Sequence, residues 1–153
     1  MNNPFIHLRS LSSYSLSEST LKITNLVDLA KKNDMPAIAI TDNNNMFGVF
    51  EFSKECVKNN IQPIIGTSIN LLDIIVNNQI SQVTFLVKNE IGYRNLLELS
   101  SLSHLNEGNN VGIYFSQLEK FSEGLFCYIG GEFNPLLLLN KENKEKDIIQ
   151  LIS

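Results

Sequence analysis

Met35-Pro36-Ala37-Ile38-Ala39-Ile40-Thr41-Asp42-Asn43-Asn44-Asn45 holds a helix stop, a buried strand and the polar loop that ends that strand. Proline lacks the amide hydrogen a helix needs and pushes its predecessor toward extended backbone, so Met35-Pro36 closes any helix before it. Ala37 to Ile40 is a short unbroken apolar run, the pattern of a strand covered on both faces. Upstream, Ile23, Leu26, Val27 and Ala30 fall at i, i+3, i+4 and i+7, which predicts a helix over residues 20–33 with one apolar stripe. Downstream, Val49, Phe52, Ser53 and Cys56 share one helical face and predict a second helix over residues 46–58. Gln62-Pro63-Ile64-Ile65-Gly66 then opens another strand. Helix, strand, helix and strand in alternation is the signature of an α/β fold.

The remaining pattern is less regular. Phe5 to Leu8 is a short β-type run, and the Ser-rich stretch 10–19 reads as a loop with several possible helix caps. Residues 69–76 and 83–87 predict two strands joined across Asn77-Asn78. A third helix is predicted over residues 90–102. Ser116 and Glu119 have the spacing of a capping box. Residues 125–129 are a strand candidate, Gly130-Gly131 a turn, and residues 135–152 a last helix with a solvated charged stretch at 141–147. The chain then stops directly after apolar residues, which reads as a cut through a larger domain.

Composition narrows the function classes. The chain has 153 residues, a formal net charge of −4 and two cysteines, Cys56 and Cys127. Phosphate contact is ordinarily supplied by clustered Lys and Arg, so an acidic chain is a poor free-standing nucleic-acid binder. The two distant cysteines, each in apolar surroundings, read as reduced core thiols of a cytoplasmic protein. No secretory leader is evident, and no apolar run approaches the roughly 18 residues that span a bilayer. Gly130-Gly131 lacks the spacing and the Lys of a phosphate-binding loop. Ser12, Ser13 and Ser15 have no His or Lys at a spacing that would activate a nucleophile, and read as loop and cap residues. His7 reads as a hydrogen-bonded structural histidine, and His104 as solvent-facing.

In α/β folds the functional side chains collect where strands end at their carboxyl termini. Three segments have that placement: residues 7–15, 41–45 and 66–70. They also carry a family resemblance. Phe5-Ile6-His7-Leu8-Arg9-Ser10-Leu11-Ser12-Ser13-Tyr14-Ser15 resembles the opening motif of PHP domains, the polymerase-and-histidinol-phosphatase family, in the form found in the alpha subunit of bacterial DNA polymerase III. Met35 to Gly48, with Glu51-Phe52 following, is similar to the second motif, and Ile61 to Gly66 to the third. Lys88-Asn89-Glu90-Ile91-Gly92-Tyr93-Arg94-Asn95-Leu96 and Ser122-Glu123-Gly124-Leu125 match in order and spacing.

The resemblance implies a distorted β/α barrel, of which this chain supplies the first part, a half-barrel with exposed sheet edges and apolar surface. It also implies a site where active members hold several divalent metals with His, Asp and Glu, and where the metals generate hydroxide for attack on a phosphoester. Here Arg9 and Leu11 stand where two of those histidines would be, Asn43 where a third would be, and Ser68 in place of a glutamate. A later histidine aligns with Gln82. Asp42 alone is retained. The expectation is therefore a vestigial site with no catalytic residue, no metal and no cofactor, in which the Arg9 guanidinium fills the vacated pocket and pairs with Asp42.

By the same resemblance the parent protein is a DNA-directed DNA polymerase whose Mg²⁺-dependent palm lies beyond Ser153. This segment would be a structural and interaction domain for the other polymerase domains, the proofreading exonuclease subunit and other replicase subunits, with DNA reached through the parent. Two other readings stay open: an active metal-dependent phosphoesterase or proofreading nuclease, and a stand-alone α/β small-molecule binding protein.

Overall fold

A computed structural model of the chain describes residues 5–76, 79–130 and 133–141. Helix α1 (Ile23–Lys32) leads into strand β1 (Ala37–Ile40), and helix α2 (Val49–Lys58) into the long strand β2 (Gln62–Val76). Strand β3 (Gln79–Val87), helices α3 (Glu90–Leu105) and α4 (Phe115–Lys120), strand β4 (Leu125–Tyr128) and helix α5 (Pro135–Lys141) follow. The four strands form one sheet in the order β1-β2-β3-β4. β1 and β2 are parallel, as a strand-helix-strand unit requires, whereas β2, β3 and β4 run antiparallel. The sheet is thus mixed, and the βαβ reading holds only for its first half.

Residues 7–10 are not a formal strand, yet they line the outer edge of β1. The Ala39 amide donates to the His7 carbonyl at 2.9 Å, and the Thr41 amide to the Ser10 carbonyl at 2.8 Å. All four residues of β1 are buried. Ile38 and Ile40 face α1 and α2, where Ile23, Leu26, Val27, Ala30, Phe52 and Cys56 complete one apolar cluster. A second cluster joins Ile69 and Leu71 of β2, Val83 and Phe85 of β3, and Leu96 and Leu99 of α3.

Several boundaries differ from the sequence reading. The two strands expected over 62–66 and 69–76 are one, because Thr67 and Ser68 satisfy their hydroxyls inside the fold rather than in water: Thr67 Oγ1 donates to the Asp42 carbonyl at 2.7 Å, and Ser68 Oγ meets Thr84 Oγ1 at 2.8 Å. Helix α2 starts at Val49 instead of residue 46, with Gly48 as its N-cap. Helix α4 starts at Phe115, and its first turn is closed by the Gln117 side chain accepting from the Tyr114 amide at 2.9 Å, two residues ahead of the expected Ser116–Glu119 box. The Asn77-Asn78 turn, Gly131 and the last helix beyond residue 141 lie outside the described residues.

The two later motifs of the sequence meet in space. Asn89 caps α3 by accepting from the Gly92 amide at 3.0 Å. Gly92 lies so close to the Gly124 backbone that a Cβ there would come within 1.8 Å of the Gly124 carbonyl oxygen. Gly124 itself has φ +75°, a left-handed conformation open to glycine at little cost. The Lys88 amide and the Asn95 side chain donate to the Gly124 and Glu123 carbonyls, each at 2.9 Å.

Candidate functional site at the strand ends

The carboxyl ends of β1 and β2 point the same way, and the first half of β3 lies beside them. Asn43 bridges to Ser68, Ser68 pairs with Thr84, and Thr84 pairs with Tyr128. These four residues form one cross-strand row on the sheet face away from α3. Asn70 and Gln82 form the next row, with Gln82 Nε2 donating to Asn70 Oδ1 at 3.3 Å.

Asp42 is 2% exposed and is the centre of the site. Its carboxylate accepts from the Ser12 amide at 2.7 Å, the Ser12 hydroxyl at 2.7 Å and the Ser15 hydroxyl at 2.6 Å. Both hydroxyls then accept in turn, Ser12 Oγ from the Tyr14 amide and Ser15 Oγ from the Asn43 amide. The loop after residue 10 is thus folded under the end of β1 and fastened there by a buried, charge-assisted network. Ser12 and Ser15 were read from sequence as loop and cap serines; they are the hydrogen-bond partners of Asp42.

Arg9 is not Asp42's partner. It is exposed, and its Nη2 donates to Gln82 Oε1 at 3.2 Å. No ion pair joins Arg9 to Asp42, so the expected guanidinium filling of the pocket is overturned. The physical reason is that serine hydroxyls and an amide already take the carboxylate without the cost of burying a second charge. Leu11 is half-buried, and its carbonyl accepts from Ser19 Oγ. Asn43 donates through Nδ2 to Glu18, while its Oδ1 is buried without a partner.

His7 is also placed differently from expectation. His7 is exposed, and its ring packs edge-on against Phe5 with centroids 4.7 Å apart. Its backbone carbonyl, not its imidazole, makes the structural hydrogen bond. His104 at the end of α3 is solvent-exposed as expected, but it also reaches the site loop. Its Nε2 lies 2.7 Å from the Asn44 carbonyl, so that nitrogen carries a proton, and its ring stacks on Phe47. Asn44 has φ +52°, a left-handed conformation asparagine tolerates, and its side chain accepts from the Asn70 amide at 2.9 Å. At the loop's outer side the Tyr14 hydroxyl donates to Glu51 at 3.2 Å, and that carboxylate holds the phenol above its usual pKa.

A multinuclear metal centre needs several anionic or imidazole donors converging on one volume. The donor set here does not fit one. Asp42 is engaged by three donors, Ser68 is bonded to Thr84, Arg9 is a cation, Leu11 is apolar, and Asn43 offers one neutral oxygen. No helix among the described residues is long and apolar enough to cross a membrane.

The PHP domain family profile matches residues 7–153. The DNA polymerase III subunit alpha of Rickettsia prowazekii is 41% identical over 149 residues, covering 94% of this chain and 12% of that protein. The protein of the same name from Borreliella burgdorferi is 38% identical over 162 residues, covering 95% of this chain and 14% of its own. The chain therefore spans about an eighth of the length of these curated relatives. Among solved structures, an amidohydrolase from Chromobacterium violaceum, with bound sulfate and no metal, superposes with a TM-score of 0.51 at 17% identity. That match covers 65% of this chain and 33% of the amidohydrolase, and it supports the fold alone.

Proposed function

The chain belongs to the PHP domain family, and we propose that it is the leading module of a replicative DNA polymerase alpha subunit, acting there as a structural and interaction domain without metal chemistry of its own. The observation that carries this reading is the state of Asp42. Its carboxylate is taken by Ser12 and Ser15, and the positions around it hold Arg9, Leu11, Asn43 and Ser68. A scaffold kept while its donors are replaced or occupied is what a domain valued for shape and contacts would retain. On this reading DNA synthesis, with Mg²⁺ at the polymerase site, belongs to a part of the parent protein beyond Ser153. The partners of this segment are then the other polymerase domains and, by family resemblance, the proofreading exonuclease subunit, in the cytoplasm.

Metal analysis and phosphoesterase assays on the intact protein test the proposal. The expected result is no stoichiometric Zn²⁺, Mn²⁺ or Fe, and no phosphodiester or phosphomonoester hydrolysis after each metal is added. Hydrolysis that rises with metal and falls on Asp42→Asn substitution would overturn it. One observation favours a second reading, a residual cation site: Asn43 Oδ1 is buried without a hydrogen-bond partner, in a side chain whose Nδ2 donates to Glu18. Stoichiometric Mn²⁺ uptake lost in Asn43→Ala would establish that reading instead.

A further inference from the structure

Helix α2 is apolar on two faces. Val49, Phe52 and Cys56 turn into the core, yet Val57, Phe50 and Phe47, just ahead of the Gly48 cap, are 65%, 81% and 70% exposed. With Lys54 these three recur at i, i+3, i+7 and i+10, the spacing of one helical stripe. On α3, Tyr93, Leu97 and His104 fall at i, i+4 and i+11 and are also exposed. Single apolar residues on a surface need no account, but contiguous stripes of them mark a contact.

The two stripes face each other across one groove. Gly48 lies against Ile23, and Asn59 accepts from Lys31, so α1 sits on the flank of α2 opposite to Phe50, Lys54 and Val57. The Asn95 side chain donates to the Glu123 carbonyl, so β4 sits on the flank of α3 opposite to Tyr93, Leu97 and His104. Both helices pack on β2. α2 runs against β2, because it links two parallel strands, whereas α3 starts where the antiparallel β3 ends and so runs with β2. The helices are therefore antiparallel. Where α2 begins and α3 ends, the Phe47 and His104 rings stack with centroids 6.4 Å apart. The neighbouring Met46 packs against both apolar clusters, so the core is continuous beneath the groove.

We propose that the groove between α2 and α3 is the docking site for an amphipathic helix of a second protein, with one apolar stripe and a carboxylate that reaches Lys54. The inference rests on the reading of this segment as an interaction domain. Charge selects the occupant. Glu51 is engaged by the Tyr14 hydroxyl, Glu55 by Lys58 and Glu90 by Arg94, and Glu98 falls toward the β4 flank of α3. Lys54 makes no ion pair among the described residues and stands within the apolar stripe. A third helix laid along two others, anchored by residues at helical spacing, is a general mode of peptide recognition. Strands added at either margin of the sheet leave this groove open, because β2 beneath it is an inner strand. The stripes are also broken by Lys54, Ser101 and His104, the mixed composition of a reversible contact with a separate chain rather than of a permanently covered core.

Photo-cross-linking of the intact polypeptide in its source cells tests this, with p-benzoylphenylalanine in place of Phe50, of Leu97 or, as the control, of Leu29, which is exposed on α1. Cross-linked peptides are sequenced by mass spectrometry. The probes at Phe50 and Leu97 are expected to capture one segment of a second protein, with apolar residues at helical spacing and an Asp or Glu among them, and the probe at Leu29 is not. Lys54→Glu is then expected to weaken binding of that protein to the purified intact polypeptide at least about tenfold, because like charges meet in the groove. Phe50→Ala should weaken it by a similar factor of about ten. Lys54→Arg should keep it, and thermal unfolding midpoints of the three variants should match the parent's. Capture of another part of the same polypeptide, capture of a second copy, or no segment shared by the two probes would each overturn the proposal. Unchanged binding of Lys54→Glu would do the same. Each of these outcomes leaves the polymerase-module reading in place, since metal analysis and phosphoesterase assays test that separately.

Discussion

Asp42 is a buried carboxylate without a cation, and the Ser12 and Ser15 hydroxyls are what make that tolerable. Removing a carboxylate from water costs several kcal/mol unless hydrogen bonds replace the lost hydration, and the Ser12 amide and the two hydroxyls do so here. Asp42→Ala strands both hydroxyls and is expected to cost about 2–4 kcal/mol in a urea unfolding series. Ser12→Ala and Ser15→Ala should each cost about 1–2 kcal/mol, with the double variant departing from the sum because both act on one carboxylate. Asp42 stood out in the sequence as a candidate site residue, since the motif around it is contiguous. Its partners were not. A Ser-rich run has no periodicity that says which hydroxyl turns inward, and a long Arg side chain can reach many acceptors, so the neutral Gln82 contact was out of sight.

At the join of α3 and β4, two sequence motifs are packed into one contact. Gly92→Ala would drive a methyl group into the Gly124 carbonyl, a backbone atom that cannot rotate away, so overpacking of about 2–3 kcal/mol is expected in thermal or chemical unfolding. Asn89→Ala should cost about 1 kcal/mol through the lost α3 cap. The sequence showed the two motifs and their order, but not that they touch, because spacing along the chain carries no information on loop closure. Helix α2 allows a pH test. Burial pushes the Cys56 thiol from an ordinary value near 9 up to about 12. The folded state therefore holds its proton over a range where the unfolded state has released it. Stability should fall as pH rises from about 9 toward 12, by up to about 1.4 kcal/mol per pH unit. Unfolding midpoints measured from pH 8 to 11 should show that slope, and Cys56→Ala should flatten it while lowering stability throughout.

For the molecule as a whole, the first two helices, β1 and the start of β2 were readable from the 3.6-residue and apolar-run patterns. The antiparallel half was harder, because β2 continues through Thr67 and Ser68, whose polar character reads as a loop until their buried partners are known. Charge was readable throughout, and it constrains function. With 12 basic and 16 acidic residues the chain carries a net −4, and Arg9, the cation among the candidate site positions, is engaged by the neutral Gln82 side chain. Non-specific DNA affinity comes from releasing counterions by cationic phosphate contacts, with dissociation constants of roughly 10⁻⁴–10⁻⁶ M for proteins that make many of them. A chain with an acid excess cannot supply that term. Anisotropy of labelled single- and double-stranded oligonucleotides in about 0.15 M salt is therefore expected to stay flat to tens of micromolar protein. Micromolar binding with a steep salt dependence would place a DNA contact inside this segment and remove it from the class of purely protein-facing domains.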